Sequence, residues 1–212
     1  MIAERETVFI VDDDPSICEG LSNLLESVGI AAEHYPSAEA FRERWRKARA
    51  GCLLLDARLP GISGVEFQEQ MREAGLSIPI IFMTAHGDMP MVRKVMKAGA
   101  IEFLIKPFQK EELIHAVDQA FTFDRSRRRE ADALDSILAR VDTLSERERE
   151  VMGLVTTGLL NKQIAADLKL SEITVKLHRR RVMDKMQAGS LAELVKMCER
   201  VNNRGRTNTK KS

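Results

Sequence analysis

The chain has 212 residues, 44% of them hydrophobic and 31% charged, which is an ordinary globular composition. Its apolar runs are too short to span a bilayer, and its charged N-terminus lacks the apolar core of an export signal. The three scattered cysteines form no CxxC pair, which argues against a disulfide framework or a zinc site. We therefore expect a cytoplasmic protein without a membrane partner.

The net charge of +1 hides two oppositely charged parts. Residues 1–121 carry 13 Lys and Arg against 19 Asp and Glu, a net charge of −6, whereas residues 122–212 carry 20 against 13, a net charge of +7. An acidic part joined to a basic part predicts two domains, and the basic one is a candidate for binding nucleic acid.

The first part of the chain alternates between strand-like and helix-like segments. Five short apolar segments bounded by Gly, Pro or Asp are predicted strands: residues 7–11, 30–35, 51–56, 78–83 and 101–105. The predicted helices are residues 16–28, 37–49, 65–74, 89–98 and 110–123. This alternation predicts an α/β fold with a five-stranded parallel, doubly wound sheet. In such a sheet, a ligand site lies beyond the carboxyl ends of the strands.

Four of the five predicted strands end on a polar or charged side chain. The first ends at Asp12 and Asp13, the third at Asp56, the fourth at Thr84 and the fifth at Lys106. For the run DDD alone, a solvated acidic loop is the simpler interpretation. Parallel strands bring their carboxyl ends to one edge, so we expect Asp12 and Asp13 to meet Asp56 there. Three carboxylates at one place suit a hard cation such as Mg²⁺ or Mn²⁺.

These side chains together suit phosphoryl transfer. Asp56 would be the nucleophile and would form an acyl phosphate. The ammonium of Lys106 and the hydroxyl of Thr84 would bind phosphoryl oxygens. Taken singly, such residues at strand ends are usually caps or solvated charges, so the hypothesis depends on their joint placement.

The second part of the chain predicts a linker, an all-α domain and a tail. Residues 122–142 contain neither Gly nor Pro and predict a helical linker that partly continues the fifth helix. Residues 143–202 predict four helices, and the close spacing of the second and third predicts a helix-turn-helix. The predicted N-caps of the first three are Ser145, Asn161 and Ser171. Residues 203–212 are basic and predict a disordered tail.

The third helix of this domain has two distinct faces. At about 100° per residue, one face is predicted to pack inward; it consists of Val175, His178, Val182 and Met186. The opposite face consists of Lys176, Leu177, Arg180 and Arg181, with Arg179 near the boundary. A solvated basic face is the simpler interpretation. The same face also suits the major groove of DNA, because arginine guanidinium groups can donate to guanine or phosphate and the exposed Leu177 can contact a thymine methyl.

The motifs VDDDP, LLLDARLPGISG, FMTAHGD and MKAGAIEFLIKPF resemble the receiver domain of bacterial two-component response regulators. The resemblance covers residues 5–121 and implies the flavodoxin-like form of the doubly wound fold, with Asp56 as the phosphorylation site. It further implies that Asp13 and Asp56 bind Mg²⁺ directly, that Asp12 binds it through water, and that the carbonyl of Arg58 completes the protein ligands. Asp14 then has no direct role.

The same resemblance implies a conformational switch. Thr84 and Phe103 correspond to the pair whose hydroxyl and ring move together on phosphorylation, and Lys106 acts in catalysis with Thr84. A cis peptide bond is expected before Pro107.

The segment TLSEREREVMGLVTTGLLNKQIAADLKLSEITVKLHRRRVMDKM resembles the four-helix, LuxR-type DNA-binding domain of the NarL/FixJ branch of response regulators. The resemblance implies base contacts by Lys176, Leu177 and Arg180, and phosphate contacts by Lys162, Thr174 and Arg179. Arg181 completes a basic tripeptide that would strengthen non-specific binding. Residues 190–201 would form a dimer on DNA.

These resemblances predict a transcription factor and not an enzyme, controlled by phosphorylation of Asp56. The expected partners are a sensor histidine kinase, double-stranded promoter DNA, a second copy of the chain and RNA polymerase. One alternative is a phosphotransferase or phosphatase that uses Asp56 covalently, although DAR lacks the second acid of a DxD phosphatase loop. Another is a constitutive DNA-binding module whose receiver only dimerises.

Overall fold

The structure, a computed structural model, describes residues 5–45, 49–85 and 89–209. The chain divides into two compact units, one ending at Arg128 and the other beginning at Arg129. Within the described residues, no helix is both long and apolar enough to cross a membrane.

The first unit contains a five-stranded parallel sheet. Its strands are β1 (Thr7–Val11), β2 (Ala31–Tyr35), β3 (Gly51–Asp56), β4 (Ile80–Thr84) and β5 (Glu102–Ile105). Their spatial order is β2-β1-β3-β4-β5, and every neighbouring pair is parallel. The doubly wound α/β fold predicted from the sequence is therefore confirmed.

Helices cover both faces of the sheet. They are α1 (Pro15–Ser27), α2 (Ala38–Arg44), α3 (Gly64–Glu73), α4 (Met89–Lys97) and α5 (Lys110–Asp142). One core cluster joins the sheet to α2, α3 and α4 through Phe41, Phe67 and Val95. A second joins the other face to α1 and α5 through Leu25 and Leu113. Burial on both faces explains why strands such as β3 are continuously apolar until their last residue.

Helix α2 is shorter than the predicted helix 37–49. It ends at Arg44 because Trp45 adopts an extended backbone (φ −66°, ψ 138°) and buries its side chain in the core. Residues 46–48 lie outside the described residues. The predicted helix is therefore too long, because the packing of Trp45 ends α2 at Arg44.

Helix α5 is a single helix of 33 residues that includes the whole segment predicted as a linker. Its buried Asp124 accepts hydrogen bonds from the backbone N–H of Gly51 (3.1 Å), from Arg127 (2.5 Å) and from Arg128 (2.7 Å). The contact with Gly51 ties the helix to the first residue of β3. The first unit therefore extends beyond residue 121, where the resemblance to a receiver domain ended.

The second unit contains four further helices. They are α6 (Glu146–Thr156), α7 (Asn161–Leu168), α8 (Glu172–Met186) and α9 (Leu191–Thr209). Their core includes Val151, Ile164, Val182 and Leu194. Ile137, from the last turns of α5, is buried in the same cluster, so part of the predicted linker helix completes this core.

The last helix extends into the predicted tail. The second domain was predicted to end at residue 202, whereas α9 continues to Thr209. The segment is polar but contains no proline that would break a helix. Residues 210–212 lie outside the described residues.

Candidate functional site

Lys106 joins two carboxylates at the carboxyl edge of the sheet. Asp12 directly follows β1, Asp56 is the last residue of β3, and Lys106 directly follows β5. The Nζ atom of Lys106 lies 2.6 Å from Oδ2 of Asp12 and 2.6 Å from Oδ2 of Asp56. Both carboxylates belong to buried residues, so three residues that are far apart in the sequence form one compact charged site.

The two carboxylates keep the amine of Lys106 charged. Burial alone would lower the pKa of Lys106, because it penalises the ammonium form. Hydrogen bonds and charge interactions with Asp12 and Asp56 outweigh burial, and the pKa of Lys106 is raised above its ordinary value. The site therefore combines an ammonium group with two carboxylates.

The local backbone fixes the carboxylate of Asp56. Its Oδ1 atom accepts a hydrogen bond from the backbone N–H of Arg58 at 2.7 Å. Helix α3 begins at Gly64, where an added Cβ atom would lie 2.6 Å from the carbonyl oxygen of Asp56. A side chain at residue 64 would therefore displace the backbone that carries the candidate phosphoacceptor.

The three consecutive acids have different environments. Asp12 is buried, and its Oδ1 atom accepts the backbone N–H of Asp14 at 3.0 Å. Asp13 is exposed at the end of β1. Asp14 is exposed and caps α1, because its Oδ1 atom accepts the N–H of Ser16 at 2.9 Å. This cap was not predicted, although Asp followed by Pro15 is a typical helix start.

The structure therefore brings Asp12 and Asp56 together through Lys106 and leaves Asp13 at the surface. Among the described residues, no group of three or more His, Cys, Asp or Glu side chains is arranged to hold a metal ion. The sequence predicts that Asp12, Asp13 and Asp56 meet. In the structure Lys106 bridges Asp12 and Asp56, and Asp13 is exposed. Convergence of Asp12 and Asp56 on one cation nevertheless fits the hard oxygen donors that Mg²⁺ prefers.

The predicted switch residues occupy neighbouring strands. Thr84 is the last residue of β4 and is buried, and its carbonyl oxygen accepts the N–H of Lys106 at 2.8 Å. Phe103 lies in β5 opposite Phe82 and is half-buried against the core cluster that contains α4. The bond between Lys106 and Pro107 is cis, which confirms that expectation.

Helix α8 separates its buried and exposed faces as the angular analysis predicts. Val175, Val182 and Met186 are buried in the core of the second unit. His178, the fourth residue assigned to that face, is half-buried. The residues assigned to the opposite face, Lys176, Leu177, Arg180 and Arg181, are all exposed. The helix presents a basic surface with an apolar residue in it.

The predicted phosphate contacts lie around this surface. Lys162 is exposed in the first turn of α7, and Thr174 is half-buried in the first turn of α8. Arg179 is half-buried, and its Nη1 atom donates a hydrogen bond to Oδ1 of Asn161 at 2.8 Å. Arg179 therefore joins α8 to the start of α7.

The N-cap predicted for α7 is wrong by one residue. The cap is Leu160, whose N–H donates to Oε1 of Gln163 at 2.8 Å, and Asn161 is the first helical residue. The side chain of Asn161 accepts from Arg179 instead. Gln163 was a usable signal, because Gln three residues after the cap can satisfy the cap N–H.

Polar contacts hold both ends of α8. Ser171 caps its start by accepting the N–H of Thr174 at 3.1 Å, as predicted. Near its end, Lys185 donates to the buried Glu148 of α6 at 2.7 Å and to the carbonyl of Thr143 at 3.0 Å. Arg140, in the last turn of α5, donates to the carbonyl of Met186 at 3.1 Å. These contacts fix α8 against the rest of the second unit.

Stability of the second unit is expected to fall in acid through Glu148. The hydrogen bond from Lys185 and that from the N–H of Ser145 lower the pKa of Glu148 from 4.5 to about 2. A carboxylate whose pKa is lower in the folded state stabilises the fold above its ordinary pKa and loses that contribution as the pH falls through its folded pKa. We expect Glu148→Gln to destabilise the unit at pH 7 and to have a smaller effect as the pH approaches 2.

Hydrogen exchange of peptides from residues 146–186, measured between pH 7 and pH 3 with correction for intrinsic exchange, tests this expectation. Glu150→Gln is the matched control, because Glu150 lies on the same helix in an exposed pair with Arg147. A destabilisation by Glu148→Gln that stays constant over this pH range would contradict the expectation.

Two protein families match the two units. Residues 8–118 match the family described as response regulator receiver domain. Residues 142–198 match the family described as bacterial regulatory proteins of the luxR family. Nodulation protein W of Bradyrhizobium diazoefficiens is 47% identical over 195 residues, which cover 92% of this chain and 86% of that protein. The transcriptional regulatory protein FixJ of Rhizobium meliloti is 43% identical over 191 residues, or 90% of this chain and 94% of that protein.

The chain belongs to the NarL/FixJ family of two-component response regulators. It therefore regulates transcription through a receiver domain and a LuxR-type DNA-binding domain.

Solved structures of response regulators support this membership. The structure of the response regulator StyR matches with a TM-score of 0.81 and 47% identity, covering 92% of this chain and 98% of that one. Full-length FixJ from B. japonicum matches with a TM-score of 0.57 and 36% identity, covering 94% of this chain and 98% of that one.

Proposed function

We propose that this response regulator is phosphorylated on Asp56 by a sensor histidine kinase and then binds promoter DNA as a homodimer. The observation that carries the proposal is the contact of Lys106 with both Asp12 and Asp56 at the carboxyl edge of the sheet. In a doubly wound fold this edge is where ligands bind, and the three residues provide a nucleophile, a cation and a further oxygen ligand.

The positions of these groups support phosphoryl transfer to Asp56. A carboxylate oxygen of Asp56 attacks the phosphorus of the donor phosphohistidine, the O–P bond forms, and the N–P bond to the imidazole breaks. The transferred group brings negative charge beside the ammonium of Lys106, which offsets that charge. The N–H of Arg58 holds the other oxygen of Asp56, so that the carboxylate does not rotate during attack.

The donor set fits Mg²⁺ or Mn²⁺ as the cofactor. The residues that would hold the ion are Asp12, Asp13 and Asp56 with the carbonyl of Arg58, all oxygen donors. When bound, the ion neutralises charge on the transferring phosphoryl oxygens. Asp12 and Asp56 already converge on one cation, Lys106, and Asp13 follows Asp12 in the chain and is exposed.

Substitution of Asp13 and Asp14 separates a metal ligand from a helix cap. We expect Asp13→Ala to remove most of the Mg²⁺ affinity, because a carboxylate ligand is lost. Asp14→Ala should leave the affinity nearly unchanged and lower the stability by about 1 kcal/mol, because it removes the N-cap of α1. Isothermal titration with Mg²⁺ and thermal unfolding of both variants measure the two effects. Equal losses of Mg²⁺ affinity would contradict the ligand assignment.

The phosphorylated receiver is proposed to act through Thr84 and Phe103. The phosphoryl group offers the hydroxyl of Thr84 a new acceptor, and movement of Thr84 makes room for the ring of Phe103 to turn inward. Phe103 is half-buried beside the core, so this rotation would change the surface formed by α4, β5 and the start of α5. We propose that two receivers dimerise through that surface.

Helix α8 is proposed to enter the major groove. Lys176, Leu177 and Arg180 would contact bases from its exposed face, while Lys162, Thr174 and Arg179 would contact phosphates. Arg181 would add sequence-independent attraction to the backbone. The second DNA-binding domain of the dimer would occupy an adjacent half-site, with α9 at the contact between the copies, and RNA polymerase would be the further partner. DNA titrations of the full chain with and without acetyl phosphate and Mg²⁺ test this function as a whole.

A further inference from the structure

Ile173 is the most exposed large hydrophobic residue within the described part of the chain. Its exposed fraction is 80%, against 47% for Leu177 on the same helix. Single exposed aliphatic residues are common on protein surfaces, so exposure alone would carry no conclusion. The position of Ile173 in α8 distinguishes it.

Ile173 lies in the centre of the exposed face of α8. At about 100° per residue, it lies opposite the buried Val182, in line with Leu177 one turn later and Arg180 two turns later. It also belongs to the first turn of the helix, after the Ser171 cap. In helix-turn-helix proteins, the first residues of the recognition helix are the ones that contact base edges.

The far end of the same line carries a negative charge. Asp184 is exposed, and Oδ2 of Asp184 lies 3.9 Å from Nε of Arg180. A carboxylate on this line repels DNA phosphates. The other exposed acid of α8, Glu172, lies about 100° to the side of Ile173, so the line itself carries no acid toward the start of α8, where Ile173 lies.

We infer that Ile173 contacts the methyl group of a thymine and so helps to determine the DNA sequence that the protein binds. The inference rests on the proposed function, because it requires α8 to enter the major groove. The thymine C5-methyl is the apolar group displayed there, and the other features are hydrogen-bond donors and acceptors. Ile173 has no hydrogen-bonding side-chain group, so a methyl contact is the sequence-specific interaction available to it.

The spacing within α8 separates this contact from that of Leu177. Four residues advance about 6 Å along a helix, close to two base-pair steps of about 3.4 Å. If α8 follows the groove, the thymine read by Ile173 lies about two base pairs from the base pair contacted by Leu177. A half-site with apolar readout at two nearby positions is expected.

The test deletes the methyl group from the DNA and the side chain from the protein. Duplexes that bind the full chain in the presence of acetyl phosphate and Mg²⁺ are first selected from a random library. Each thymine of a selected half-site is then replaced by uracil, which lacks the C5-methyl. Affinities of wild type, Ile173→Ala, Ile173→Val and Val28→Ala are measured on every duplex; Val28 is an exposed aliphatic residue of the receiver unit.

At the thymine contacted by Ile173, we expect uracil to weaken wild-type binding about fourfold, the effect of one buried methyl group. A methyl effect at the position read by Leu177 should be unchanged in the Ile173 variants. Ile173→Ala should lose a similar factor on the thymine duplex and bind both duplexes equally. Ile173→Val should keep most of the discrimination, and Val28→Ala should match wild type. Discrimination by Ile173→Ala as strong as that of wild type at every thymine, or no methyl-sensitive thymine at all, would overturn the inference and leave DNA binding intact. Failure of wild type to select any sequence would instead overturn the proposed DNA binding, and this inference with it.

Discussion

The Asp56→Asn protein is expected to take up no phosphate from acetyl phosphate, whereas wild-type protein is labelled when Mg²⁺ is present. The amide of Asn carries no negative charge and is a poor nucleophile, so no acyl phosphate forms. Its oxygen can still accept the N–H of Arg58, and Lys106 keeps its contact with Asp12. The variant is therefore expected to fold. Intact-protein mass spectrometry after incubation with the donor measures the uptake directly.

Asp14→Asn is the matched control for this substitution. It changes an acid to its amide two residues from Asp12, and Asn remains a good N-cap for α1. We expect its labelling to match wild type. Labelling of Asp56→Asn at the wild-type rate would contradict the assignment of the phosphoacceptor, whereas loss of labelling in Asp14→Asn would show that the acids cannot be distinguished by position.

Phosphorylation is expected to strengthen binding to DNA with two half-sites by a factor on the order of 100, because a dimer binds its second half-site at a high effective concentration. The base contacts of each copy stay the same, so a fragment with one half-site should bind with little dependence on phosphorylation. Half-sites about one helical turn apart place both recognition helices on the same face of the duplex. The fragment with one half-site is thus the internal control for the whole effect.

A DNA-binding fragment for the same titrations should begin at residue 129. Ile137 is part of the core of the second unit, and Arg140 donates to the last carbonyl of α8. A fragment that begins at residue 143 would lack both contacts and expose the core. The longer fragment is expected to bind DNA weakly, and the phosphodonor should not change its affinity, because the fragment does not contain Asp56.

Local patterns in the sequence predicted the elements of this fold well. Strand β3 reads as apolar residues up to Asp56, and the buried residues of α8 recur with helical spacing. These signals lie within single segments. The predicted helix 37–49 was too long because the packing of Trp45, which depends on distant residues, ended α2 at Arg44.

The sequence predicted which residues form the site better than it predicted the contacts between them. The rule that parallel strands share an edge brought Asp12, Asp56 and Lys106 to one place. It could not show that Lys106 would bridge the two carboxylates, because that contact depends on side-chain reach across β1, β3 and β5. The N-cap formed by Asp14 was not predicted, because the run DDD was interpreted only as a cation site or a solvated loop.

The linker illustrates a different limit. Its composition predicted a helix, but the contacts of Asp124 with Gly51 and of Arg140 with Met186 join residues far apart in the sequence. No periodic pattern marks either contact. Assignment of these turns to the two units therefore required the structure.

Mobility-shift titration of the full chain, at one fixed salt concentration, tests the central claim most directly. The DNA carries one or two half-sites, and the protein is incubated with Mg²⁺ in the presence or absence of acetyl phosphate, while sedimentation of the same samples gives the oligomeric state. We predict that phosphorylation converts monomer to dimer and raises the affinity for the fragment with two half-sites but not for the fragment with one. The Asp56→Asn protein should stay monomeric and bind both fragments weakly. Unchanged oligomeric state and unchanged DNA affinity after verified phosphorylation would contradict the account.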